Sequence, residues 1–382
     1  MTLCRRLASR LLRILAGVPI VSLLAGGLLL LALGVTLRGR SVGLSAVVLA
    51  SVLFCCVGYW RRPWFKKIRG WFCGVLLPLS LLLYLIPAWL APGGGTPHGR
   101  VRNCFLRGQG RFCRQAPWNV VPEVDQVNIG MTLLPAADPY LDFEEAQNLR
   151  SGMLPLYEAM DPDFQAAGSV MGLAYREIVH VEFRTGHYFA FVPATRAGER
   201  LACLVFLHGL GGNPKMYLWV LSGISKQIKC VVIAPSFGLG NWDQAGGAEL
   251  VVDVTREALA TLPVDPQRIF LLGYSNGAMG VTRAAIQQPR LFRGLIYLSP
   301  VTEDGLFATP QFLTPGRDRR ILFLHGGRDQ RIPRTFVEAT VISLKQRGCD
   351  VRLKIYDNDG HFLLVSRPDA VLADIKSHMA GD

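Results

Sequence analysis

The sequence predicts an α/β protein whose doubly wound, mostly parallel sheet is preceded by about three transmembrane helices. Three observations predict it. Long uncharged stretches are confined to the first ninety residues. From about Tyr175, short apolar runs alternate with helical segments. Glycine-framed serine, aspartate and histidine residues follow those runs at their carboxyl ends.

Composition sets the limits. The chain has 382 residues, 50% of them hydrophobic and 18% charged, where a soluble domain carries about 25% charge. That excludes a disordered chain and a disulfide-dense miniprotein. The net charge of +13 is unevenly spread. Residues 1–91 hold 11 Lys+Arg and no Asp or Glu, whereas residues 92–382 are nearly neutral, with 30 Lys+Arg against 28 Asp+Glu. A basic excess beside apolar segments orients membrane spans, so nucleic acid is not an expected partner.

Residues 1–91 are expected to be a membrane region with three spans, 14–37, 41–60 and 70–91. Their 24, 20 and 22 uncharged residues meet the roughly 20 that a helix needs to cross a bilayer. Trp60, Trp64, Trp71 and Trp89 lie near the ends, at headgroup level. The first run exceeds a signal peptide's apolar core of about 7–15 residues, and further spans follow it. Four basic residues precede the first span, Arg38 and Arg40 follow it, and Arg61, Arg62, Lys66, Lys67 and Arg69 separate the second from the third. More positive charge inside places the N-terminus in the cytoplasm and everything after Ala91 outside it, in a multi-pass protein of the cell membrane. A re-entrant hairpin of the first two stretches would reverse that.

Residues 92–172 read as a linker that serves as a lid or as a packing arm. Pro92 to Pro97 is a glycine-rich exit from the membrane. Residues Cys104 to Cys113 mirror apolar and basic positions around Gly108-Gln109-Gly110, a hairpin-like turn that a Cys104–Cys113 disulfide would close in an oxidising compartment. Acidic residues after Asp142 mark a helix start.

Residues 173–382 form the α/β domain. The strands predicted are 187–193, 201–207, 230–235, 268–273, 294–299, 320–325 and 351–356. Most are near-continuous apolar runs, as expected of strands buried on both faces. Helical segments at about 214–226, 247–260, 276–287 and 333–347 alternate with them, which gives a parallel sheet covered on both sides. Ligands in such sheets bind beyond the carboxyl ends of the strands.

Four motifs lie there. Gly273-Tyr-Ser275-Asn-Gly277 stands between a strand and a helix, the context of a nucleophile elbow; the alternative is a serine that caps the helix. In His208-Gly-Leu-Gly-Gly212, glycines expose backbone N–H groups. Leu210 N–H, with Asn276 N–H, would stabilise a developing oxyanion. His208 itself reads as a residue that holds this loop. Asp329 follows a strand in His325-Gly-Gly-Arg-Asp329, where it would orient a histidine; pairing with Arg328 or Arg331 is the alternative, and Asp304 is the second choice of acid. His361, in Asp357-Asn-Asp-Gly-His361-Phe, would take the serine proton. No metal-ligand spacing, phosphate loop or dinucleotide fingerprint occurs, so no metal or cofactor is expected.

The order Ser275, Asp329, His361 is that of α/β-hydrolases. On HG-L-GG, G-Y-S-N-G, HGG-x-D-x-x-x-P and D-G-H-F, residues 175–382 resemble the dienelactone hydrolase, carboxylesterase and prolyl-oligopeptidase group. The resemblance implies Ser275 as nucleophile, Asp329 as acid, His361 as base, and Leu210 and Asn276 as oxyanion donors. The expected function is a membrane-anchored, carboxylesterase-like serine hydrolase that acts on small-molecule or lipid-like esters through an acyl-enzyme. A prolyl-oligopeptidase-like serine peptidase and an acyltransferase share this chemistry. A non-catalytic membrane adaptor ranks last, since the three residues are intact.

Overall fold

The computed structural model describes residues 2–56, 70–95, 99–180, 186–316 and 319–381. The chain divides into two compact units. One comprises Met1–Pro92 and Arg114–Ala137, the other Gly93–Cys113 and Asp138–Asp382.

The first unit is helical. Its apolar stretches form α1 (Thr2–Leu33), α2 (Leu37–Cys56) and, after a π-helical turn at Phe72–Leu76, α3 (Leu77–Trp89). The end of the second predicted span, 57–60, and the basic residues from Arg61 to Arg69 lie outside the described residues. Among the described residues one helix, Leu37–Cys56, is long and apolar enough to cross a bilayer, and Gly17–Leu33 and Cys73–Trp89 are shorter apolar helices. Helices α1 and α2 touch backbone to backbone at Gly27 and Gly43, where a Cβ on either residue would lie 2.8 Å from the other's carbonyl oxygen. Hydroxyls join α2 to α3: Ser45 Oγ donates to Ser80 C=O at 2.8 Å, and Ser41 Oγ to Leu83 C=O at 3.0 Å. The glycines let the α1 and α2 backbones approach closely, and the hydroxyls add polar cross-links between α2 and α3.

Helix α4 (Glu123–Leu133) secures the tight α1–α2 turn. The buried Asp125 carboxylate accepts from Val35 N–H at 2.6 Å, from Thr36 N–H at 2.9 Å and from the Thr36 hydroxyl. Asn128 Nδ2 donates to Leu33 C=O at 2.7 Å. One short helix thus satisfies orphan backbone groups at the end of α1 and the start of α2.

The second unit is built on one eight-stranded sheet: β1 (Val101–Phe105), β2 (His187–Phe191), β3 (Leu201–Leu207), β4 (Cys230–Pro235), β5 (Val264–Tyr274), β6 (Gly294–Leu298), β7 (Arg320–Gly326) and β8 (Val351–Tyr356). Their order is β1-β2-β4-β3-β5-β6-β7-β8. β2 runs antiparallel to β1 and β4, and the strands from β4 to β8 are parallel. The seven strands predicted from apolar runs are β2 to β8. The eighth, β1, comes from the stretch read as a linker.

Helix α5 (Phe143–Glu158) starts at Asp142, whose side chain accepts from Glu145 N–H at 2.7 Å. Helix α6 (Gly172–Ile178) precedes β2, and α7 (Lys215–Ser222), α8 (Gly247–Thr261), α9 (Gly277–Gln287), α10 (Arg334–Gln346) and α11 (Pro368–Ala380) follow in turn. Val205 and Leu207 of β3 and Leu271 of β5 pack with Val251, Val281 and Val341 of α8, α9 and α10. Leu204 and Phe206 alternate with them and are fully buried on the opposite face. There the Phe206 ring meets Tyr217 of α7 at 5.4 Å. Register aligns Leu207 with Gly273, Tyr274 with Leu298 and Gly326 with Tyr356. The carboxyl ends of these strands therefore share one edge.

The Cys104–Cys113 disulfide is corrected: both cysteines are free thiols. β1 pairs with β2, Cys104 opposite Tyr188, rather than with residues 111–113. The Cys104 side chain packs against the sheet core, whereas Cys113 is exposed.

Candidate active site

Ser275 immediately follows β5 and precedes α9. Its φ is +53°, a left-handed conformation rare for a residue with a Cβ. Hydrogen bonds hold it there. Its N–H donates to Leu298 C=O at 2.9 Å, and its carbonyl accepts from Ala278 N–H at 3.0 Å and Val301 N–H at 3.1 Å. A left-handed residue held by its own N–H and C=O, with the side chain half-buried, meets the backbone requirement of a nucleophile elbow.

Asp329 and His361 come together across the β7 and β8 loops. His361 Nδ1 lies 2.8 Å from Asp329 Oδ2. Asp329 Oδ1 accepts from Arg331 N–H at 2.9 Å and Ile332 N–H at 3.0 Å. Burial raises the Asp329 carboxyl, but the hydrogen bond and charge of His361 and the Ile332 N–H outweigh it and hold the group below its ordinary value. The alternative partners are engaged elsewhere. Arg328 donates to Asn358 Oδ1 at 3.1 Å, Arg331 pairs with Asp138 at 2.6 Å, and Asp304 accepts from the Thr340 hydroxyl at 3.2 Å.

Residues next to Ser275 bring it toward this pair. The ring of Tyr274 lies 5.4 Å from that of His361. Gly209 packs against Ser275, and a Cβ there would sit 3.1 Å from Ser275 Cβ. Among the described residues, Ser275 Oγ and His361 Nε2 share no hydrogen bond, a contact that often tightens only when substrate is bound.

The loop after β3 carries Leu210, which is exposed. Among the described residues neither Leu210 N–H nor Asn276 N–H donates a hydrogen bond within the protein. His208, fully buried, holds the loop. Its Nε2 accepts from Phe237 N–H at 3.1 Å, so Nδ1 carries the proton and donates to Gly209 C=O at 2.8 Å. Burial pushes its pKa down to about 4, against the small opposing effect of the Gly209 carbonyl.

Two neighbours escaped the sequence reading. Ser299, at φ +41°, donates from Oγ to His361 C=O at 2.9 Å. Its place as the last residue of the predicted run 294–299, just past the end of β6 at Leu298, was the available signal. Glu145 of α5 reaches Gly360, where a Cβ would lie 3.2 Å from its Oε1. Burial first, then the charges of Asp142 and Asp329, push its carboxyl up against Arg331 and His361. No local pattern marks it. A separate cavity of about 920 Å³ is lined by Leu173, Glu177, Phe237, Leu239, Asn241 and Leu250 among others, and not by Ser275, Asp329 or His361. The hydrogen-bond geometry, not the size of that cavity, marks the candidate site.

The strand order, with the four motifs at the ends of β3, β5, β7 and β8, defines an α/β-hydrolase fold. Residues 204–343 match the family model described as alpha/beta hydrolase family. Solved structures similar to this chain include a thermostable esterase, 20% identical over 50% of this chain and 58% of its own, TM-score 0.42. An S-formylglutathione hydrolase of Staphylococcus aureus is 16% identical over 50% of this chain and 89% of its own, TM-score 0.43. An acylaminoacyl peptidase of Pyrococcus horikoshii is 15% identical over 51% of this chain and 39% of its own, TM-score 0.40. The first of these similarities thus spans little more than half of the esterase's length. No curated protein matches the chain.

Proposed function

We propose that this protein is a membrane-anchored serine hydrolase that cleaves carboxylic esters, small-molecule or lipid-like, through an acyl-enzyme. The observation that carries the reading is the 2.8 Å bond between His361 Nδ1 and Asp329 Oδ2, beside a serine at φ +53°. A serine hydroxyl is a weak nucleophile at neutral pH. With Nδ1 held by Asp329, His361 Nε2 is left to take the Ser275 proton as Oγ attacks the ester carbon. The negative oxygen receives the N–H groups of Leu210 and Asn276, each worth about 3 kcal/mol in such sites. Collapse breaks the bond to the alcohol, which leaves with the proton from His361. Water then enters by the same route in reverse roles: His361 takes its proton, hydroxide adds to the acyl carbon, and the acid departs as Ser275 regains its hydrogen.

Anchoring rests on the first unit. Among its described residues one helix is long and apolar enough to span, and we read 14–37, 41–60 and 70–91 as three spans. The hydroxyl cross-links and the Asp125 clamp support a packed helical set. The charge count supports a catalytic domain on the extracytoplasmic side. A reporter fused after residue 382 is expected to be accessible outside the cell; access only from the cytoplasm overturns the topology.

A fluorophosphonate probe tests the chemistry in membranes. Wild type is expected to be labelled, and Ser275→Ala and His361→Ala are not. Equal labelling of folded Ser275→Ala rejects the site.

A further inference from the structure

Glu177, on α6, lies outside the four motifs, and each of its carboxylate oxygens accepts a hydrogen bond. Oε2 accepts from Leu239 N–H at 2.6 Å, and Oε1 accepts from Asn241 Nδ2 at 2.6 Å. Both partners belong to the loop that follows β4. Gly238, between the two halves of that loop, sits against the same carboxylate, and a Cβ there would fall 1.6 Å from Oε2.

That loop is in turn the backing of the 208–211 loop. Leu239 C=O accepts from Gly211 N–H at 2.9 Å. Phe237 N–H donates to His208 Nε2 at 3.1 Å, and Trp242 Nε1 donates to His208 C=O at 2.8 Å. Gly240 lies flat on Gly209, where a Cβ would come within 2.4 Å of the Gly209 carbonyl oxygen. The direction of one peptide group follows. The Gly209–Leu210 peptide is planar and trans, so its C=O and N–H point in opposite directions. Its C=O is held by His208 Nδ1 at 2.8 Å on the side backed by Gly240. The Leu210 N–H is therefore turned away from the backing loop.

We infer that Glu177 is a positioning residue for the oxyanion donor at Leu210, acting through residues 237–241. The inference rests on the proposed triad reading. Preorganised donors act through their direction, and an N–H that drifts loses its advantage in the transition state while ground-state binding is little changed. Glu177→Ala removes both acceptors. Glu177→Gln keeps the size but offers one acceptor, and its amide N–H₂ faces a donor. Asn241→Ala removes one bond and leaves Leu239 in place.

The test is ester hydrolysis by the full-length protein in detergent, with active sites counted by stoichiometric fluorophosphonate so that misfolded molecules drop out. A p-nitrophenyl ester serves as probe. Expected are a kcat per titrated site about tenfold lower in Glu177→Ala and several-fold lower in Glu177→Gln, with KM within twofold of wild type. Asn241→Ala shows a smaller loss, and Glu177→Ala with Asn241→Ala together is no worse than Glu177→Ala alone, because the two residues act on one loop. A kcat per site within twofold of wild type in both Glu177 variants overturns the inference, as does a loss carried mainly by KM. If Glu177→Ala does not fold, Glu177→Gln and Asn241→Ala decide by the same criterion. Wild type that takes no label, or Ser275→Ala that keeps its turnover, removes the triad reading and this inference together. With that control in order, a negative result falls on Glu177 alone.

Discussion

Asp329 Oδ2 lies 2.8 Å from His361 Nδ1, while its other oxygen is committed to the N–H groups of Arg331 and Ile332. The carboxylate cannot rotate without breaking two backbone bonds. It therefore fixes both the plane of the imidazole and the nitrogen that carries the proton. Asp329→Asn keeps the shape and inverts the hydrogen bonding, since an amide N–H₂ facing Nδ1 favours the opposite tautomer. We expect kcat on a simple ester to fall by about 10³–10⁴-fold with the circular dichroism spectrum unchanged. A loss smaller than tenfold removes Asp329 from the proposed triad.

Ser299 secures the same histidine from its backbone. Its Oγ donates to His361 C=O at 2.9 Å, and its N–H donates to Leu324 C=O at 2.8 Å, which ties the β6 end to the β7 end. Ser299→Ala loses the hydroxyl and leaves a buried carbonyl one bond short. A net cost of about 1 kcal/mol corresponds to roughly a fivefold drop in kcat if it falls on the transition state. Steady-state kinetics at saturating ester measure it; unchanged kcat with a lowered melting temperature would make Ser299 a stability residue only.

Two fully buried histidines, His187 and His208, add to the acid sensitivity of the second unit, beside His325 and His378, which burial also lowers. Burial pushes His187 down to about 3 and His208 to about 4. His187 bridges Ser236 and Asn103 at 2.8 Å each, with Nε2–H donating to the Asn103 carbonyl and Nδ1 accepting from the hydroxyl. In the unfolded chain both take up protons near pH 6.5. Depressed folded values mean that the unfolded state binds more protons below that pH. Their contribution to stability is complete above about pH 6.5 and is lost as pH falls toward 4 for His208 and 3 for His187. Each adds at most about 1.4 kcal/mol of destabilisation per pH unit within that window. Melting temperatures from pH 7.5 to 4.5 should decline, and His187→Gln should flatten the decline while lowering the value at pH 7.5. An unchanged slope in that variant argues against His187 as a contributor.

What was legible in the sequence follows from the range over which each feature is encoded. β2 to β7 are largely apolar runs because the sheet buries them on both faces, β8 shows instead the alternation of Val351, Leu353 and Ile355 with exposed Arg352 and Lys354, and the Ser275, Asp329 and His361 loops carry glycines that the local backbone needs. β1, at the other edge, shows neither a continuous apolar run nor that alternation, so no periodicity marks it. Val101-Arg-Asn-Cys-Phe105 has a full partner strand on one side and a single bridge, Arg102 to Gly95, on the other, and Asn103 meets His187 with a polar side chain. The symmetric residues from Cys104 to Cys113 suggested a closed hairpin, but register with Tyr188 took Cys104 into the sheet. Glu177 left no trace, since its partners lie 62 and 64 residues away. Asp125, which clamps Val35 and Thr36 from about 90 residues away, is silent for the same reason.

Gly277 offers the sharpest test that the elbow is built by close packing. A Cβ at this position would lie 2.1 Å from the carbonyl oxygen of Leu207 and 3.0 Å from that of His208. Both are main-chain atoms at the end of a fully buried β3, so no side chain can turn aside. Alanine therefore forces α9 away from β3, or moves the 208–211 loop, and both shift Ser275 against the proposed oxyanion donors, the N–H groups of Leu210 and Asn276. Gly305 is the control, with open space where its Cβ would go. Gly277→Ala is expected to cost about 3 kcal/mol or more, in the range of overpacked cores, and to abolish fluorophosphonate labelling in any protein that remains soluble. Gly305→Ala should melt within a degree or two of wild type and label fully. Labelling of Gly277→Ala at the wild-type rate would mean that the helix and strand do not approach as closely as the 2.1 Å clash requires.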